Sequence, residues 1–322
     1  MIGVLSQYLD SVRDNLRLDN DSAREVINEL ETHIEDEVKD LREAGLSEEE
    51  AARNCVALLG SAKSLACQIY EAQSQGTWRQ ALLASMPHLL FALLFALNWW
   101  QGIGWLVITL GLILSTAFYG WWRGKPVWLF PWLGYSLLPV AVAGLLLLYL
   151  PKGWSWLAIG AYVPLALWLV SSITVETIKR DWLHSALMLL PVPIVVGWFL
   201  AVEEEGKLLE LNLDHLTVLA PWIGRSFLAL ALTAVVFIRL RRRWLKAALL
   251  FVSGPLTLIM VACYAEGRIS PLALSVLIPI MVGLLVGPAL IERMFRRGRQ
   301  RIRAWEAVCL GGIPNAEGYH PS

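Results

Sequence analysis

The sequence predicts an all-α protein in which a small cytosolic four-helix domain precedes an eight-helix transmembrane bundle. The first 76 residues contain no tryptophan, whereas all sixteen tryptophans and a series of long apolar runs follow them. Lys and Arg number 7 against 16 Asp and Glu before residue 77, and 20 against 11 after it, so net charges of −9 and +9 cancel over the chain. Opposite charges indicate that the two parts face different surroundings. We expect an acidic helical domain at 1–76, a membrane domain at 77–304 and a loose tail at 305–322.

Amphipathic spacing predicts the first two helices. Apolar side chains recur three or four residues apart, as expected for one face of a helix, in the following set: Leu5, Tyr8, Leu9, Val12 and Leu16. A second helix with a similar face begins at an N-cap, either Asp19 or Asp21, and ends at Gly45.

Capping residues predict two more helices. Ser47 followed by Glu50 has the spacing of a capping box that begins a third helix. Gly60 ends that helix, and Ser61 caps a fourth. A core of fewer than about 80 residues is marginal by itself, so we expect these helices to dock on the inner face of the membrane domain.

Eight apolar runs predict the membrane spans, because a hydrocarbon core of roughly 30 Å requires about 20 helical residues. The runs are 81–100, 102–121, 131–150, 154–173, 182–202, 222–240, 247–265 and 271–290. The sixth run is the weakest, since Arg225 lies within its outer end.

The basic residues predict the orientation of these spans. With residues 1–76 in the cytoplasm, sixteen Lys and Arg residues lie on the inner side of the membrane and four on the outer side. This bias follows the positive-inside rule and favours an even number of spans. We therefore expect a multi-pass protein of the bacterial cytoplasmic membrane, with both termini cytoplasmic.

Two basic clusters on the inner side are candidate docking or lipid-binding sites. Their members are Arg241, Arg242, Arg243, Arg296, Arg297 and Arg299. An arginine-rich tail could also grip nucleic acid, but directly after a span it is typical of an anchor to anionic lipid. We therefore expect the lipid bilayer as a partner and no direct binding of nucleic acid.

His88 is the ionisable residue placed most clearly within a span. An ionisable group inside the membrane is a candidate functional site, for a ligand or a proton. The alternative is a neutral histidine bonded to a neighbouring helix, which is the more common case. Glu292, at the inner end of the last run, is expected to pair with Arg293 or Arg296.

Glu29, His33 and Glu37 are spaced four residues apart, which places them on one helix face. Without a second histidine or a cysteine this stripe predicts a solvated face and a candidate partner surface rather than a metal site. No nucleotide-binding or hydrolase motif occurs, so we expect no enzyme, no cofactor and no metal. The four scattered cysteines are expected to be free thiols.

A hairpin repeated four times is one interpretation of the proline spacing. Pro87, Pro139, Pro191 and Pro255 lie early in alternate runs, and each inner exit combines a basic cluster with tryptophan. The alternative is that the positive-inside rule and the aromatic belt place Arg and Trp at every inner boundary. Prolines in the runs could also kink or interrupt their helices.

One resemblance is carried by ELETHIED at 29–36, GLSEEEAA at 45–52, LLGS at 58–61 and Leu-Ala at 65–66. In this order the motifs resemble the bacterial HAAS signalling domain and the similar permease prefix domain, over about residues 5–72. The resemblance implies a helical module in front of membrane domains, sometimes of ABC-type permeases and often encoded beside a PadR-type regulator. The large extracytoplasmic domain of macrolide-exporter-type permeases has no counterpart in this chain.

We therefore expect a signalling or regulatory membrane protein that couples its transmembrane bundle to a cytosolic partner, such as a PadR-type regulator, through the N-terminal helices. The alternative is a permease subunit for a small or lipophilic solute, with the ATPase on a separate chain. The sequence leaves the oligomeric state open, a homo-oligomer included.

Overall fold

The computed structural model describes residues 3–16, 20–146, 154–202, 213–265, 269 and 271–310. In these ranges every regular element is helical, and strands are absent from them. The predicted all-α class is therefore confirmed.

The helices before residue 77 begin and end close to the predicted caps. They are α1 (Gly3–Asn15), α2 (Asn20–Glu43), α3 (Glu48–Leu59) and α4 (Ala62–Gln73). Ser47 and Glu50 form the capping box, with Ser47 N donating to Glu50 Oε2 at 3.2 Å and Glu50 N donating to Ser47 Oγ at 3.4 Å. Gly45 and Gly60 adopt φ of +99° and +76°, the left-handed region in which glycine ends helices at little cost.

Two small apolar clusters hold α1 to α4 together. One joins Leu5 and Leu9 of α1 to Ile34 of α2 and Cys55 of α3, and the other includes Val12 of α1. Burial, reinforced by the Glu37 carboxylate, raises the pKa of the Cys55 thiol. Clusters of this size fit the expected small core.

The remaining helices carry most of the apolar residues. They are α5 (Trp78–Ala96), α6 (Ile103–Trp122), α7 (Leu129–Leu146), α8 (Trp154–Arg180), α9 (Trp182–Leu189), α10 (Pro191–Val202), α11 (Leu213–Arg239), α12 (Arg243–Tyr264) and α13 (Pro271–Leu310). A short 3₁₀ turn, Trp99–Gln101, precedes α6.

By length and composition, seven helical segments of the described residues could cross a membrane. They lie in α5, α6, α8, the consecutive pair α9 and α10, α11, α12 and α13, and they fit a multi-pass membrane protein. The predicted run 131–150 overlaps α7, which is not one of the seven, and its residues 147–150 lie outside the described part of the chain. The count of eight spans therefore stays a prediction.

Burial separates central from peripheral helices. The apolar window of Trp182–Val202 is 72% buried and that of Asp214–Arg239 is 56% buried, against 11% for Gly160–Ile178. Large apolar side chains on the peripheral helices are exposed, such as Trp122 at 83% and Phe118 at 71%. Such a contiguous apolar exterior is typical of a surface that faces lipid.

The sixth run is a central helix and not the weakest one. α11 has 27 residues and packs along α5 and α12. Thr233, a buried polar residue of α11, is satisfied within the helix, since its Oγ1 donates to Ala229 O at 2.9 Å. Arg225 is exposed, with its guanidinium 4.1 Å from the ring centroid of Trp222.

Proline interrupts one of these helical segments. α9 ends at Leu189 and α10 begins at Pro191, so the segment Trp182–Val202 consists of two half-helices. Pro87 and Pro255 lie within continuous helices, and the backbone of α7 is helical through position 139, whose side chain lies outside the described residues. The prolines of the proposed repeat therefore do not share one structural role.

α13 is the longest helix, at 40 residues. It continues to Leu310, into the segment predicted to be a loose tail, because residues 296–310 contain one glycine and no proline. Residues 311–322 lie outside the described residues. Cys55, Cys67 and Cys263 are free cysteines, as expected, and the side chain of Cys309 is not described.

The capping box makes the start of α3 sensitive to pH. Hydrogen bonds from Ser47, first from its side chain and then from its backbone, lower the pKa of Glu50 from its ordinary value of 4.5. Because the pKa of Glu50 is lower in the folded state than in the unfolded state, the ionised carboxylate stabilises the folded state at pH values above the unfolded pKa. That stabilisation is lost as the pH falls through the folded pKa. We expect the amides of residues 50–53 to exchange hydrogen faster, relative to those of α4, as the pH falls from 6 to 3. Glu50→Gln should remove this extra acceleration, and an unchanged pH profile in that variant would contradict the assignment.

Candidate functional site

The connector between α4 and α5, residues 74–77, lies against the C-terminal end of α11. Gly76 N donates to Ile238 O at 2.9 Å, and an Arg239 guanidinium nitrogen donates to Gly76 O at 2.9 Å. A Cβ atom at position 76 would overlap the side chain of Ile238. Glycine is therefore required here for the close approach of the two backbones.

Further hydrogen bonds extend this contact to the start of α12. Ser74 Oγ donates to Arg241 O at 2.9 Å, and Arg241 Nε donates to Gln75 Oε1 at 2.6 Å. Lys246 Nζ donates to Ser74 O at 3.1 Å. Uncharged groups of the connector, just after the end of α4, are thus hydrogen-bonded to Arg241 and Lys246 of the bundle.

Asp181 lies at the centre of this region with a fully buried side chain. It caps α9 by accepting from Leu183 N at 3.2 Å. Its carboxylate also accepts from an Arg243 guanidinium nitrogen at 2.7 Å and from Tyr70 Oη of α4 at 3.3 Å. A buried carboxylate needs such partners, because it has lost its solvation by water.

Two cations and a second carboxylate complete the cluster. Arg243 lies 3.6 Å from Glu292 of α13, which is also largely buried. Lys246 is 1% exposed, and its ammonium lies 5.5 Å from the ring centroid of Tyr70 and 5.2 Å from that of Phe237, which is cation–π range. We call the set Tyr70, Ser74, Gly76, Asp181, Arg243, Lys246 and Glu292 the inner junction.

His184 borders the inner junction one turn into α9. Its Nδ1 lies 4.0 Å from Asp181 Oδ2, and its ring packs against Phe130 and Phe237 at centroid distances of 4.7 and 5.7 Å. Tyr70 of α4, Asp181 at the start of α9, Arg243 of α12 and Glu292 of α13 are in contact, so the inner junction joins four helices.

The structure separates the members of the predicted basic clusters. Arg242 is exposed, Arg241 contacts the connector, and Arg243 points into the protein with its side chain 22% exposed. The side chains of Arg296, Arg297 and Arg299 lie outside the described residues. Glu292 lies 3.6 Å from Arg243, a partner that the sequence did not indicate. The expected pairing with Arg293 or Arg296 stays a prediction, because the side chain of Arg296 lies outside the described residues.

Glu29, His33 and Glu37 are exposed along α2, as their spacing predicts. None of these three takes part in the inner junction. The predicted partner surface is therefore exposed and lies outside the inner junction.

His88 is buried and bonded to a residue of α7. His88 is 1% exposed, Tyr135 is fully buried, and His88 Nδ1 lies 2.7 Å from Tyr135 Oη. Within the described part of the chain, His88 Nε2 has no hydrogen-bond partner. The bond to a neighbouring helix agrees with the structural interpretation of His88, but it satisfies one ring nitrogen only.

An apolar cavity of about 200 Å³ lies beside this pair, among α5, α10 and α11. Its walls are formed by Phe91, Phe95, Val195, Trp198, Phe199, Val202, Leu216, Ile223 and Phe227. We call it the aromatic cavity. Trp198 Nε1 donates to Ser226 Oγ at 2.9 Å, so its polar atom is satisfied.

Comparison with protein families, with curated proteins and with solved structures gives no match for this chain. The resemblance of residues 5–72 to the HAAS and permease prefix domains therefore stays a prediction.

The sequence singled out His88 and Arg243 but missed most of their partners. Asp181 follows Lys179 and Arg180, and its position before Trp182 is the N-cap signal that could have identified it. Tyr135, 47 residues from His88, offered no signal, because pairing between helices is not encoded in local spacing.

Removing the Asp181 charge should destabilise the protein strongly, because the partly buried Arg243 would lose its closest carboxylate. We expect Asp181→Asn to lower the free energy of unfolding by about 3 kcal/mol, measured by thermal or denaturant unfolding of the detergent-solubilised chain. The matched control is Glu176→Gln, which removes a more exposed pair with Lys125 and should cost about 1 kcal/mol or less. Equal losses in the two variants would contradict the role assigned to Asp181.

Proposed function

We propose that this chain is a signalling or regulatory membrane protein in which the transmembrane helices transmit their state to a cytosolic partner through α1 to α4. The inner junction carries the proposal, because Asp181 contacts Tyr70 of α4, while Arg243 forms ion pairs with both Asp181 and Glu292 of α13. One buried ionic cluster thus links the N-terminal helices to three helices of the bundle.

Such a cluster suits the transmission of a conformational change. Buried ion pairs tolerate discrete arrangements and resist gradual deformation, because a partly separated pair leaves charges unsatisfied. A shift of α9, α12 or α13 would therefore alter the contacts of Tyr70 and Ser74 and displace α4 as a unit.

The acidic surface of α2 supports a cytosolic partner. Glu29, His33 and Glu37 are exposed and lie on the helix that carries most of the acidic side chains before residue 77. A net charge of −9 over residues 1–76 favours a partner with a basic docking face. A PadR-type regulator, implied by the HAAS resemblance, is the partner that we propose.

The proposed arrangement places both termini in the cytoplasm of a bacterium, with α7 as an eighth span. Reporter domains fused before residue 1 and after residue 322 should both be active in the cytoplasm, because eight spans return the chain to its starting side. A reporter inserted between residues 207 and 208 should be extracytoplasmic. Termini in opposite compartments would contradict the eight-span topology and leave seven spans.

Purification of the tagged full-length chain from host membranes in mild detergent tests the function. We expect a cytosolic regulator to copurify, and Glu29→Ala/His33→Ala/Glu37→Ala to reduce its yield at least fivefold. The matched control Glu35→Ala/Asp36→Ala removes the same number of carboxylates from exposed positions of α2 and should retain the regulator.

The alternative function is that of a permease subunit for a small or lipophilic solute. The interrupted segment of α9 and α10 and the adjacent aromatic cavity favour it, because broken helices often form substrate sites in transporters. A stoichiometric ATPase in the same purification would overturn the regulatory proposal in favour of this one. Copurification of neither protein would overturn the coupling proposal.

A further inference from the structure

The aromatic cavity and the His88–Tyr135 pair lie next to each other, and neither belongs to the inner junction that is proposed to couple the helices. Phe91 lines the cavity and stacks on Tyr135, with ring centroids 4.7 Å apart and an interplanar angle of 20°. Phe227 also lines the cavity, and its centroid lies 6.1 Å from that of Tyr135. Two phenylalanine rings thus lie between the cavity and the polar pair.

The pair holds one more polar hydrogen than its single bond can use. A neutral histidine and a tyrosine carry two polar hydrogens, and the 2.7 Å contact between Nδ1 and Oη occupies one of them. If the hydroxyl donates to Nδ1, the hydrogen on Nε2 is left over. If Nδ1 donates to the hydroxyl oxygen, the hydroxyl hydrogen is left over.

That spare donor is buried in an apolar region. His88 is 1% exposed, and its Nε2 has no partner in the described ranges. Buried polar groups are nearly always bonded, so an exception in a native protein calls for a missing partner or a function. A carbonyl oxygen suits both tautomers, because it accepts equally from Nε2–H and from the tyrosine hydroxyl.

The cavity fits an aromatic ring better than water. Its volume of about 200 Å³ exceeds the roughly 150 Å³ at which an apolar protein cavity stays dry and binds benzene. The nine lining side chains within the described ranges are Phe, Val, Trp, Leu and Ile, so a water molecule would find few bonding partners among them. The partly exposed Phe95, Phe199 and Leu216 leave access from the lipid-facing surface.

The walls also determine the charge of an occupant. Among the residues that the structure describes, the cavity is lined without Lys, Arg, Asp, Glu or His, and an ion placed against these walls would lose its solvation without compensation. These walls therefore favour an uncharged occupant.

We propose that the aromatic cavity and the His88–Tyr135 pair form a binding site for an uncharged lipophilic ring compound that carries a carbonyl oxygen, the chemistry of a quinone. The ring occupies the cavity, and rotation of Phe91 and Phe227 lets the oxygen accept the spare hydrogen bond of the pair. The site would give the bundle a ligand from the lipid phase under either function considered above.

Two isosteric probes separate the ring from its oxygens. The full-length chain in lipid nanodiscs is titrated with tritiated tetramethyl-1,4-benzoquinone, with binding to empty nanodiscs subtracted, and competed with unlabelled quinone or with tetramethylbenzene. We expect saturable binding and a five- to tenfold preference for the quinone, the effect of one buried hydrogen bond. No saturable binding, or equal competition by both compounds, would overturn the proposal.

Two pairs of variants assign the binding to these residues. His88→Leu and Tyr135→Phe should abolish the quinone preference while both compounds still bind, and an unchanged preference in both would overturn the polar half of the site. Val195→Trp fills the cavity and should abolish binding of both compounds, whereas Val196→Trp, at a neighbouring position that is 40% exposed, should not. Thermal unfolding confirms that each variant is folded, and binding that survives in folded Val195→Trp would overturn the proposal.

Discussion

The buried carboxylate of Asp181 determines where the N-terminal helices attach to the bundle. A charge without water must be surrounded by donors, and here they come from the backbone of α9, from Arg243 of α12 and from Tyr70 of α4. Satisfying one group therefore aligns three helices at the same depth. The close contact of Gly76 with Ile238 then follows, because α4 ends only a few residues before it.

Much of the fold was predictable because it depends on interactions between residues that are close in sequence. Caps such as Ser47 with Glu50 and breakers such as Gly45 and Gly60 act within a few residues, and the structure places helix ends beside them. Apolar runs longer than a bilayer core act over one helix, and seven of them recur as candidate spans. The sixth was judged the weakest because of Arg225, but the Arg225 side chain is exposed and packs on Trp222, so it does not place a charge among the buried residues of the bundle.

The candidate sites were less predictable, since they depend on contacts between distant segments. Arg243 was assigned to a cluster for docking or lipid binding, and Lys246 was counted only among the basic residues that set the topology. Nothing local indicated that they turn inward to Asp181 and the end of α4. His88 was recognised by its apolar neighbours, but Tyr135 and Phe227 come from other helices. A cavity is a property of three helices packed together, so no single stretch of sequence encodes it.

Because α13 is long, a small movement at its ionic contact with Arg243 through Glu292 displaces its far end by a larger distance. At about 1.5 Å per residue, its 40 residues extend for about 60 Å, twice the thickness of a bilayer core. The part from Glu292 to Leu310 is about 27 Å long, so a tilt of about 10° at the ionic cluster would move the far end by about 5 Å. α13 can therefore act as a lever arm that amplifies small rearrangements of a salt bridge into displacements large enough for another protein to detect.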